Sequence, residues 1–315
     1  MSEKVADLGE FGLISAVTAR LPQGNGVLVG PGDDAAVLRT PDGRVVVTAD
    51  LLVEHRHFRR DWSVAVDIGH KAAAQNLADV VAMGAVPTAI VVGLGAPADL
   101  PTQWVLEFAD GLREECEPLG ASVVGGDVVR SDVVIVAVTA LGDLQGRAPV
   151  TRAGARAGNV VASCGRLGWA EAGFRVLSRG FRSPRVLVEA HRRPVVPYSA
   201  GPEAATLGAT AMCDVSDGLV ADLGHIARAS AVAIDLDRSV FDIPEPIRDA
   251  AAALGAEPLD WILTGGDDHA LAATFEAEVA LPSSWRVVGR VSAGEGVTID
   301  GAPYTGVPGH THYRA

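Results

Sequence analysis

The sequence has 315 residues, a formal net charge of −13, 48% hydrophobic residues and 21% charged residues. The length allows two domains of ordinary size, and the composition is that of a globular protein. The negative charge argues against nucleic acid as a partner, because a phosphate backbone would be repelled.

Cysteine usage and hydropathy indicate the compartment. Cys116, Cys164 and Cys213 are far apart and odd in number, which argues against a disulfide framework or a structural zinc site. The polar start Met1–Lys4 leads into no long apolar segment, so no signal peptide is expected. No uncharged apolar run reaches the roughly 20 residues of a membrane span. We therefore expect a soluble, cytoplasmic protein without membrane contact.

The first part of the chain predicts an α+β layer on a mixed sheet. Helices are predicted at Glu10–Leu21, Trp62–Met83 and Pro101–Leu119, and strands at Val27–Val29, Ala35–Leu38, Val45–Thr48, Thr88–Leu94, Ala121–Gly126 and Val133–Leu141. The last two strands are expected to pair as a hairpin. In the second helix Lys71, Gln75 and Asp79 share one face, which is either a solvated stripe or a functional one.

The segment Gly142–Gly158 is rich in Gly, Arg and Ala and marks the expected boundary between domains 1–146 and 147–315. The second domain is predicted to be α/β. Its predicted helices are Leu167–Arg179, Arg185–His191, Glu203–Leu207, Leu219–Ser230 and Ile247–Leu254, and its predicted strands are Asn159–Ser163, Ala211–Cys213, Val232–Leu236, His269–Phe275 and Arg286–Val291.

Aspartates recur at the predicted strand ends and helix starts. They are Asp33, Asp34, Asp50, Asp79, Asp127, Asp214, Asp217, Asp267 and Asp268. The adjacent pair Asp33–Asp34 is either a polar turn in water or part of a cation site, because neighbouring carboxylates repel. Strand ends brought together in an α/β layer bind ligands, and a pocket of carboxylates favours Mg²⁺ over zinc. Magnesium held in this way usually carries phosphates, so a nucleotide site is expected.

Common phosphate and catalytic motifs are absent from the sequence. There is no G-x-x-x-x-G-K-[ST], no protein-kinase pattern and no H-E-x-x-H. The segment Gly93–Ala98 matches G-x-G-x-x-A, but Pro97 and Pro101 disfavour the helix start that this motif requires. Neither Ser163 nor Ser216 lies in a nucleophile elbow.

The ordered set of motifs resembles the thiamine-monophosphate kinase family over nearly the whole chain. The matching segments are Gly32–Ala36, Thr48–Val53 with His57–Phe58, Lys71–Ala85, Gly125–Asp127, Asp214–Leu219 and Gly265–Asp268. The resemblance implies the two-domain fold of aminoimidazole ribonucleotide synthetase. In that fold an N-terminal mixed sheet has helices on one face, and the C-terminal domain is α/β. The N-terminal domain would bind ATP and Mg²⁺ and dimerise, and the C-terminal domain would complete the active site.

The resemblance also implies an activity and a set of residues. The family transfers the γ-phosphoryl group of ATP directly onto thiamine monophosphate, uses several Mg²⁺ ions and works as a homodimer whose active site lies near the subunit interface. By carry-over the metal ligands are Asp34, Thr48, Asp50, Asp79, Asp127, Asp214 and Asp217, the ATP contacts are Gly126, Asp127, Arg152 and Ser216, and the substrate contacts are His57 and Asp267, with Tyr313 as the candidate aromatic.

The chemistry requires neither a general base nor a covalent nucleophile, because a phosphate monoester with a second pKa of ~6 is already ionised near neutrality. Magnesium would offset the repulsion between the two phosphate groups. Two positions depart from the family pattern. Asp267 stands where the family usually has Glu, and His269 where it usually has Tyr, which puts the substrate contacts in question more than the metal ligands.

Two alternatives stay open at this point. The chain could be another ATP-dependent enzyme of the same fold, similar to selenophosphate synthetase or to the hydrogenase-maturation relative. The first would need a reactive Cys in a Gly-rich N-terminal segment, and the second a reactive Cys at the C-terminus, whereas this chain ends His312-Tyr313-Arg314-Ala315. It could also be a non-enzymatic protein that binds divalent cations, although EF-hand spacing is absent.

Overall fold

The computed structural model describes residues 4–31 and 35–310. The chain divides into two compact units. Unit 1 consists of Met1–Val80 and Ala85–Gly146, and unit 2 of Val81–Gly84 and Arg147–Ala315. Within the described ranges, no helix combines the length and the hydropathy that crossing a membrane requires.

Unit 1 is a four-stranded sheet with helices and a small two-stranded sheet. Its elements are α1 (Val5–Thr18), β1 (Val27–Val29), β2 (Val37–Leu38), β3 (Val46–Val53), α2 (Ala65–Ala82), β4 (Val86–Ala96), α3 (Thr102–Cys116), β5 (Ser122–Arg130) and β6 (Ile135–Asp143). The order in the larger sheet is β3-β6-β4-β5, with β4 and β5 parallel and the other pairs antiparallel. The expected mixed sheet is confirmed.

The expected hairpin of β5 and β6 is wrong, because β6 lies between β3 and β4. Helix α3 connects β4 to β5 as a crossover, and such a connection places the second strand parallel to the first. Strand β6 pairs with the other edge of β4. Alternate residues of β6 are fully buried, namely Val136, Val138 and Ala140, as expected of a central strand covered on one face.

Helices α2 and α3 approach each other closely through two glycines. A Cβ on Gly69 would lie 2.2 Å from the carbonyl oxygen of Phe108, and a Cβ on Gly111 would lie 2.1 Å from that of Val66. The two helix backbones are therefore in contact at both positions. This contact fixes α2, the helix that carries Asn76 and Asp79.

Unit 2 is a larger unit of helices and one sheet. Its described strand pairs are antiparallel with one exception, so the unit is α+β rather than the expected α/β. Its elements are β7 (Val160–Cys164), α4 (Trp169–Ser178), α5 (Arg185–Arg192), α6 (Ala200–Thr206), β8 (Ala211–Val215), α7 (Leu219–Ser230), β9 (Ala233–Leu236), α8 (Glu245–Leu254), α9 (Pro258–Thr264), β10 (Ala270–Phe275), β11 (Trp285–Ser292), β12 (Gly296–Ile299) and β13 (Ala302–Pro303). The sheet order is β13-β12-β9-β11-β7-β10-β8. The sequence did not predict β12 and β13.

The core of unit 2 is formed by α7 and the sheet. Leu219, Leu223 and Ile226 are fully buried and belong to the same cluster as Ile234 and Leu236 of β9. These three positions of α7 follow a helical spacing of three and four, so one face of the helix is apolar. Because α7 begins directly after Gly218, its packing also holds the aspartate-rich loop that precedes it.

We expect Gly111→Ala to lower the free energy of unfolding by about 1–3 kcal/mol, because the added methyl group has no space between α2 and α3. The matched control is Gly224→Ala in α7, where a Cβ meets no atom within 4 Å. That variant should be up to about 1 kcal/mol more stable than the wild type, because alanine favours helix. Urea unfolding measures both. Equal effects of the two substitutions would contradict the close helix contact.

Candidate functional site

In unit 1, side chains of β3 and α2 come together. Thr48 donates a hydrogen bond from Oγ1 to Oδ2 of Asp79 at 2.8 Å. The backbone N–H of Asp50 donates to Oδ1 of Asn76 at 2.9 Å, and Asn76 in turn donates to the carbonyl of Ala72. The cluster therefore contains a hydroxyl group and two carboxylates on the sheet face that α2 covers.

The polar stripe of α2 is not a solvated surface. Lys71 and Gln75 are buried, at 3% and 8% exposure, and Asn76 is fully buried. Long polar side chains are rarely buried without a partner, so burial favours the functional interpretation of this face over the solvated one.

Two predicted strand boundaries are wrong. Asp50 lies inside β3, which continues to Val53, and Asp127 lies inside β5, which continues to Arg130. At Asp50 the backbone N–H donates to the side-chain oxygen of Asn76, and β3 stays paired with β6 as far as Val53. The expectation that both acids terminate strands is thereby corrected.

The sheet register separates Asp127 from the cluster of Thr48, Asp50 and Asp79. Asp50 pairs with Val138, Val138 with Val92, and Val92 with Gly126. Asp127 is one residue further along, and a shift of one residue inverts the face of the sheet on which a side chain lies. Asp127 is therefore on the uncovered face and is exposed.

Gly126 itself contacts the neighbouring strand. A Cβ at this position would lie 2.0 Å from the carbonyl oxygen of Val92. Glycine is thus required by the approach of β4, whatever ligand the position also contacts.

His57 lies in a tight turn after β3. Its Nδ1 accepts a hydrogen bond from the backbone N–H of Val53 at 3.0 Å, so the ring proton is on Nε2. The buried carboxylate of Glu54 holds the turn by accepting bonds from Arg60 and from the backbone N–H of Val134. The turn therefore leaves Nε2 as the donor of His57.

In unit 2, the loop after β8 and the loop before β10 are bonded to each other. The N–H of Asp267 donates to the carbonyl of Ser216 at 2.9 Å, and the N–H of His269 donates to that of Val215 at 3.0 Å. A Cβ on Gly266 would lie 2.4 Å from the Ser216 carbonyl oxygen. The two aspartate-rich motifs, which are about 50 residues apart in sequence, therefore form one structure.

Asp214 is the buried acid of this structure. It is 4% exposed, and its Oδ2 lies 3.1 Å from Nδ1 of His269, which is equally buried. Burial of a carboxylate is costly unless it is hydrogen-bonded, and the imidazole N–H meets this need.

Asp217, Asp222 and His225 form a second cluster, with one ligand atom of each within 4.8 Å of the others. Asp222 Oδ2 accepts the backbone N–H groups of Asp217 and Gly218. Burial, together with the charges of Asp214 and Asp217, raises the pKa of Asp222 to about 7 against the opposing effect of the two N–H bonds.

His225 has a lowered pKa, mainly because it is partly buried, with contributions from Arg152 and Arg228. The backbone of Arg152 is held by Ser230, whose hydroxyl donates to the Arg152 carbonyl and accepts the N–H groups of Gly154 and Ala155. Arg152 is thus a positive charge near the Asp217 cluster.

Asp267 and Asp268 are adjacent in sequence but have different surroundings. The carboxylate of Asp268 accepts the backbone N–H groups of Gly168 and Ala170 at the start of α4. It is 4% exposed, and burial raises its pKa to about 7 against the effect of the two N–H bonds. Asp267, by contrast, is partly exposed. Asp268 therefore stabilises the fold and caps a helix.

Three residues singled out from the sequence, Asp33, Asp34 and Tyr313, lie outside the described residues. The others fall into three groups: Thr48, Asp50 and Asp79 near α2; Gly126, Asp127 and His57 elsewhere in unit 1; and Asp214, Ser216, Asp217, Asp267 and Arg152 in unit 2. Sequence reasoning missed Asn76, Asp222 and the contact of His269. A signal existed for Asp222, because an acid in the first turn of a helix is typical of capping.

Comparisons with known proteins show which proteins this chain is similar to. The family described as "AIR synthase related protein, N-terminal domain" matches residues 32–144. The thiamine-monophosphate kinase of Mycobacterium tuberculosis is 48% identical over 310 residues, which cover 98% of this chain and 92% of that protein. The thiamine-monophosphate kinase of Corynebacterium glutamicum is 41% identical, covering 91% of this chain and 87% of that protein.

A solved structure is similar over the same extent. The AaThiL structure complexed with AMPPCP and TMP has a TM-score of 0.82 and 32% sequence identity, and the match covers 98% of each chain.

The carboxyl group of Asp222 should make stability depend on pH. Its pKa is about 7 in the folded protein, above the ordinary aspartate value of 3.8, so the folded state binds the proton more tightly. The part of the free energy of unfolding that comes from this proton is complete below pH ~4. It is lost as the pH rises to ~7, at about 1.4 kcal/mol per pH unit inside that window. In Asp222→Asn the loss should vanish, because the amide oxygen accepts both N–H bonds and does not ionise.

The measurement is the free energy of unfolding from pH 4.5 to 7.5 in the presence of a chelator. The exposed Asp249→Asn variant is the control and should follow the wild type. Identical slopes for Asp222→Asn and the wild type would contradict the raised pKa.

Proposed function

Because the chain belongs to the thiamine-monophosphate kinase family, we propose that it transfers the γ-phosphoryl group of ATP to thiamine monophosphate and so produces thiamine diphosphate and ADP. The AMPPCP and TMP of the similar AaThiL structure support the two substrates. The observation that carries the proposal is the gathering of oxygen donors at Thr48, Asp50 and Asp79, since a phosphoryl transfer depends on placing and neutralising phosphates.

The donor set fits Mg²⁺. The unit 1 cluster offers a hydroxyl and carboxylates, and Asp214 and Asp217 offer carboxylates in unit 2, which are the ligands that Mg²⁺ prefers. We propose that these residues and Asp127 hold the ions, with Asp34 by family resemblance. When bound, Mg²⁺ supplies positive charge against the phosphate oxygens and lowers their mutual repulsion.

The side chains of the protein then hold and orient the two substrates. Arg152, Ser216 and Gly126 are proposed ATP contacts, and Arg152 brings a guanidinium suited to phosphate. His57 can donate only from Nε2, since Nδ1 is engaged by Val53. Asp267 is the proposed contact to the thiamine base, with Tyr313 as the proposed aromatic neighbour. The acceptor phosphate is ionised near neutrality, so no residue has to remove a proton.

We also propose that two copies of the chain associate through unit 1. The sheet face opposite α2 carries apolar side chains in water, with Val47 at 62%, Leu51 at 54% and Val129 at 54% exposure. Large exposed apolar side chains that recur across one face of a sheet mark an interface. Asp127 lies on the same face, so a second copy seated there would cover a proposed metal ligand. In this proposal unit 1 serves metal and nucleotide binding and dimerisation, and unit 2 supplies Asp214, Ser216 and Asp217.

Direct product detection tests the activity. The protein is incubated with ATP, Mg²⁺ and thiamine monophosphate, and in parallel with thiamine in place of the monophosphate. Thiamine diphosphate from the monophosphate alone, abolished by a chelator, is the expected result. ADP without thiamine diphosphate would show that the acceptor is wrong, and a folded protein without any turnover would overturn the proposal.

Asp50→Asn and Asp127→Asn should fold and lose activity. Replacing a carboxylate by an amide removes the charge that holds a metal ion, and several kcal/mol of charge stabilisation correspond to about 100-fold or more in rate. The readout is kcat for thiamine diphosphate formation. Asp249→Asn, an exposed acid on α8, is the matched control and should keep wild-type turnover. Full activity in either site variant would refute the assignment of that residue.

Leu51→Lys should dissociate the dimer, because it places a charge on the apolar sheet face that the second copy would cover. The mass in solution, measured by light scattering after size-exclusion chromatography, should fall from twice the chain mass to that of one chain. Val195→Lys is the control, since Val195 is also 54% exposed but lies in unit 2. A wild type with the mass of one chain would contradict the proposed dimer.

A further inference from the structure

His269 stands at an unusual backbone position. It has a φ of 51°, and Asp267 two residues earlier has a φ of 65°. Residues other than glycine rarely adopt this left-handed region, and they keep it only where the surroundings enforce it. Here the enforcing contacts are the hydrogen bonds from these two residues to the carbonyls of Ser216 and Val215. The backbone is thus bent at the one place where β10 begins beside β8.

The bend brings the imidazole to Asp214. Leu271 of β10 is the residue that pairs with Asp214 in the strand register, so His269 precedes the paired position by two residues. With the left-handed turn, Nδ1 lies 3.1 Å from Asp214 Oδ2, and both residues are buried.

We infer that His269 is a positioning residue of the phosphoryl-transfer site, which donates its Nδ1–H to Asp214 Oδ2 and so fixes the orientation of that carboxylate for metal binding. A ligating carboxylate is commonly held by a hydrogen bond to one oxygen, and loss of such a partner weakens metal binding. The inference rests on the proposed function, because it takes Asp214 as a metal ligand. It goes further, because it gives a defined role to His269, a residue that departs from the family pattern.

The alternative is that His269 only fills space beside β8. The two interpretations differ in what a substitution must preserve. A space-filling residue is replaced by any side chain of suitable volume, whereas a positioning residue requires a donor at the place of Nδ1. Asparagine supplies such a donor, since its amide nitrogen is as far from the backbone as Nδ1, and it tolerates a positive φ. Leucine has nearly the shape of asparagine and no donor.

The test compares His269→Asn with His269→Leu in the full chain. Mn²⁺ is titrated into each protein without nucleotide, and free Mn²⁺ is read from its electron paramagnetic resonance signal. The Leu variant should bind Mn²⁺ about 10-fold to 100-fold more weakly than the wild type. The Asn variant should stay within about 3-fold of the wild type. In turnover, the Leu variant should raise the Mg²⁺ concentration for half-maximal rate and leave KM for thiamine monophosphate unchanged.

Three results would overturn the inference: Mn²⁺ binding by the Leu variant as tight as in the wild type, an Asn variant that is as weak as the Leu variant, or a wild type without saturable Mn²⁺ binding. If the Leu variant does not fold, as shown by thermal melting, the Asn variant alone decides: Mn²⁺ binding about 10-fold or more weaker than in the wild type would then overturn the inference. Failure of the proposed function is separate, since it is read from the absence of thiamine diphosphate in the wild-type assay.

Discussion

Repulsion among gathered carboxylates is the constraint on which the rest of this structure depends. Acids that lie close together destabilise a fold unless hydrogen-bond donors or cations compensate them. The described partners of Asp79, Asp214, Asp222 and Asp268 include a hydroxyl, an imidazole N–H and backbone N–H groups. At Asp79 and Asp214 the hydroxyl and imidazole donors satisfy a carboxylate oxygen and so lower the cost of burial. A fold built in this way keeps its capacity to bind cations.

The scaffold meets this constraint by bringing backbones into contact. Gly69 and Gly111 let α2 approach α3, and Gly266 lets the loop before β10 reach the loop after β8. In each case the contact fixes the element that carries acids or their donors. Small residues in this chain therefore serve the site indirectly, because they determine where the amide and hydroxyl donors lie.

Local patterns predicted the elements well and their contacts poorly. The spacing of Lys71, Gln75 and Asp79 correctly placed them on one face of a helix, and α7 was predicted with its observed bounds. The sequence predicts Asp50 and Asp127 at strand ends, whereas both lie inside longer strands. At Asp50 the backbone N–H donates to the side-chain oxygen of Asn76, a residue 26 positions away. The position of β6 in the sheet and the pairing of His269 with Asp214 are likewise long-range, and one sequence does not reveal them.

Adjacent aspartates illustrate why the sequence argument for a cation site needs the structure. The pair Asp267–Asp268 looks like a doubled ligand, yet Asp268 binds two amides of α4 and is buried away from solvent. Its neighbour His269 turns to Asp214 instead. Three consecutive residues thus have three different surroundings, and the left-handed backbone at Asp267 and His269 is what separates them. Such a strained backbone persists only where several contacts enforce it, which makes the bend, rather than the count of acids, the better indicator of a functional site.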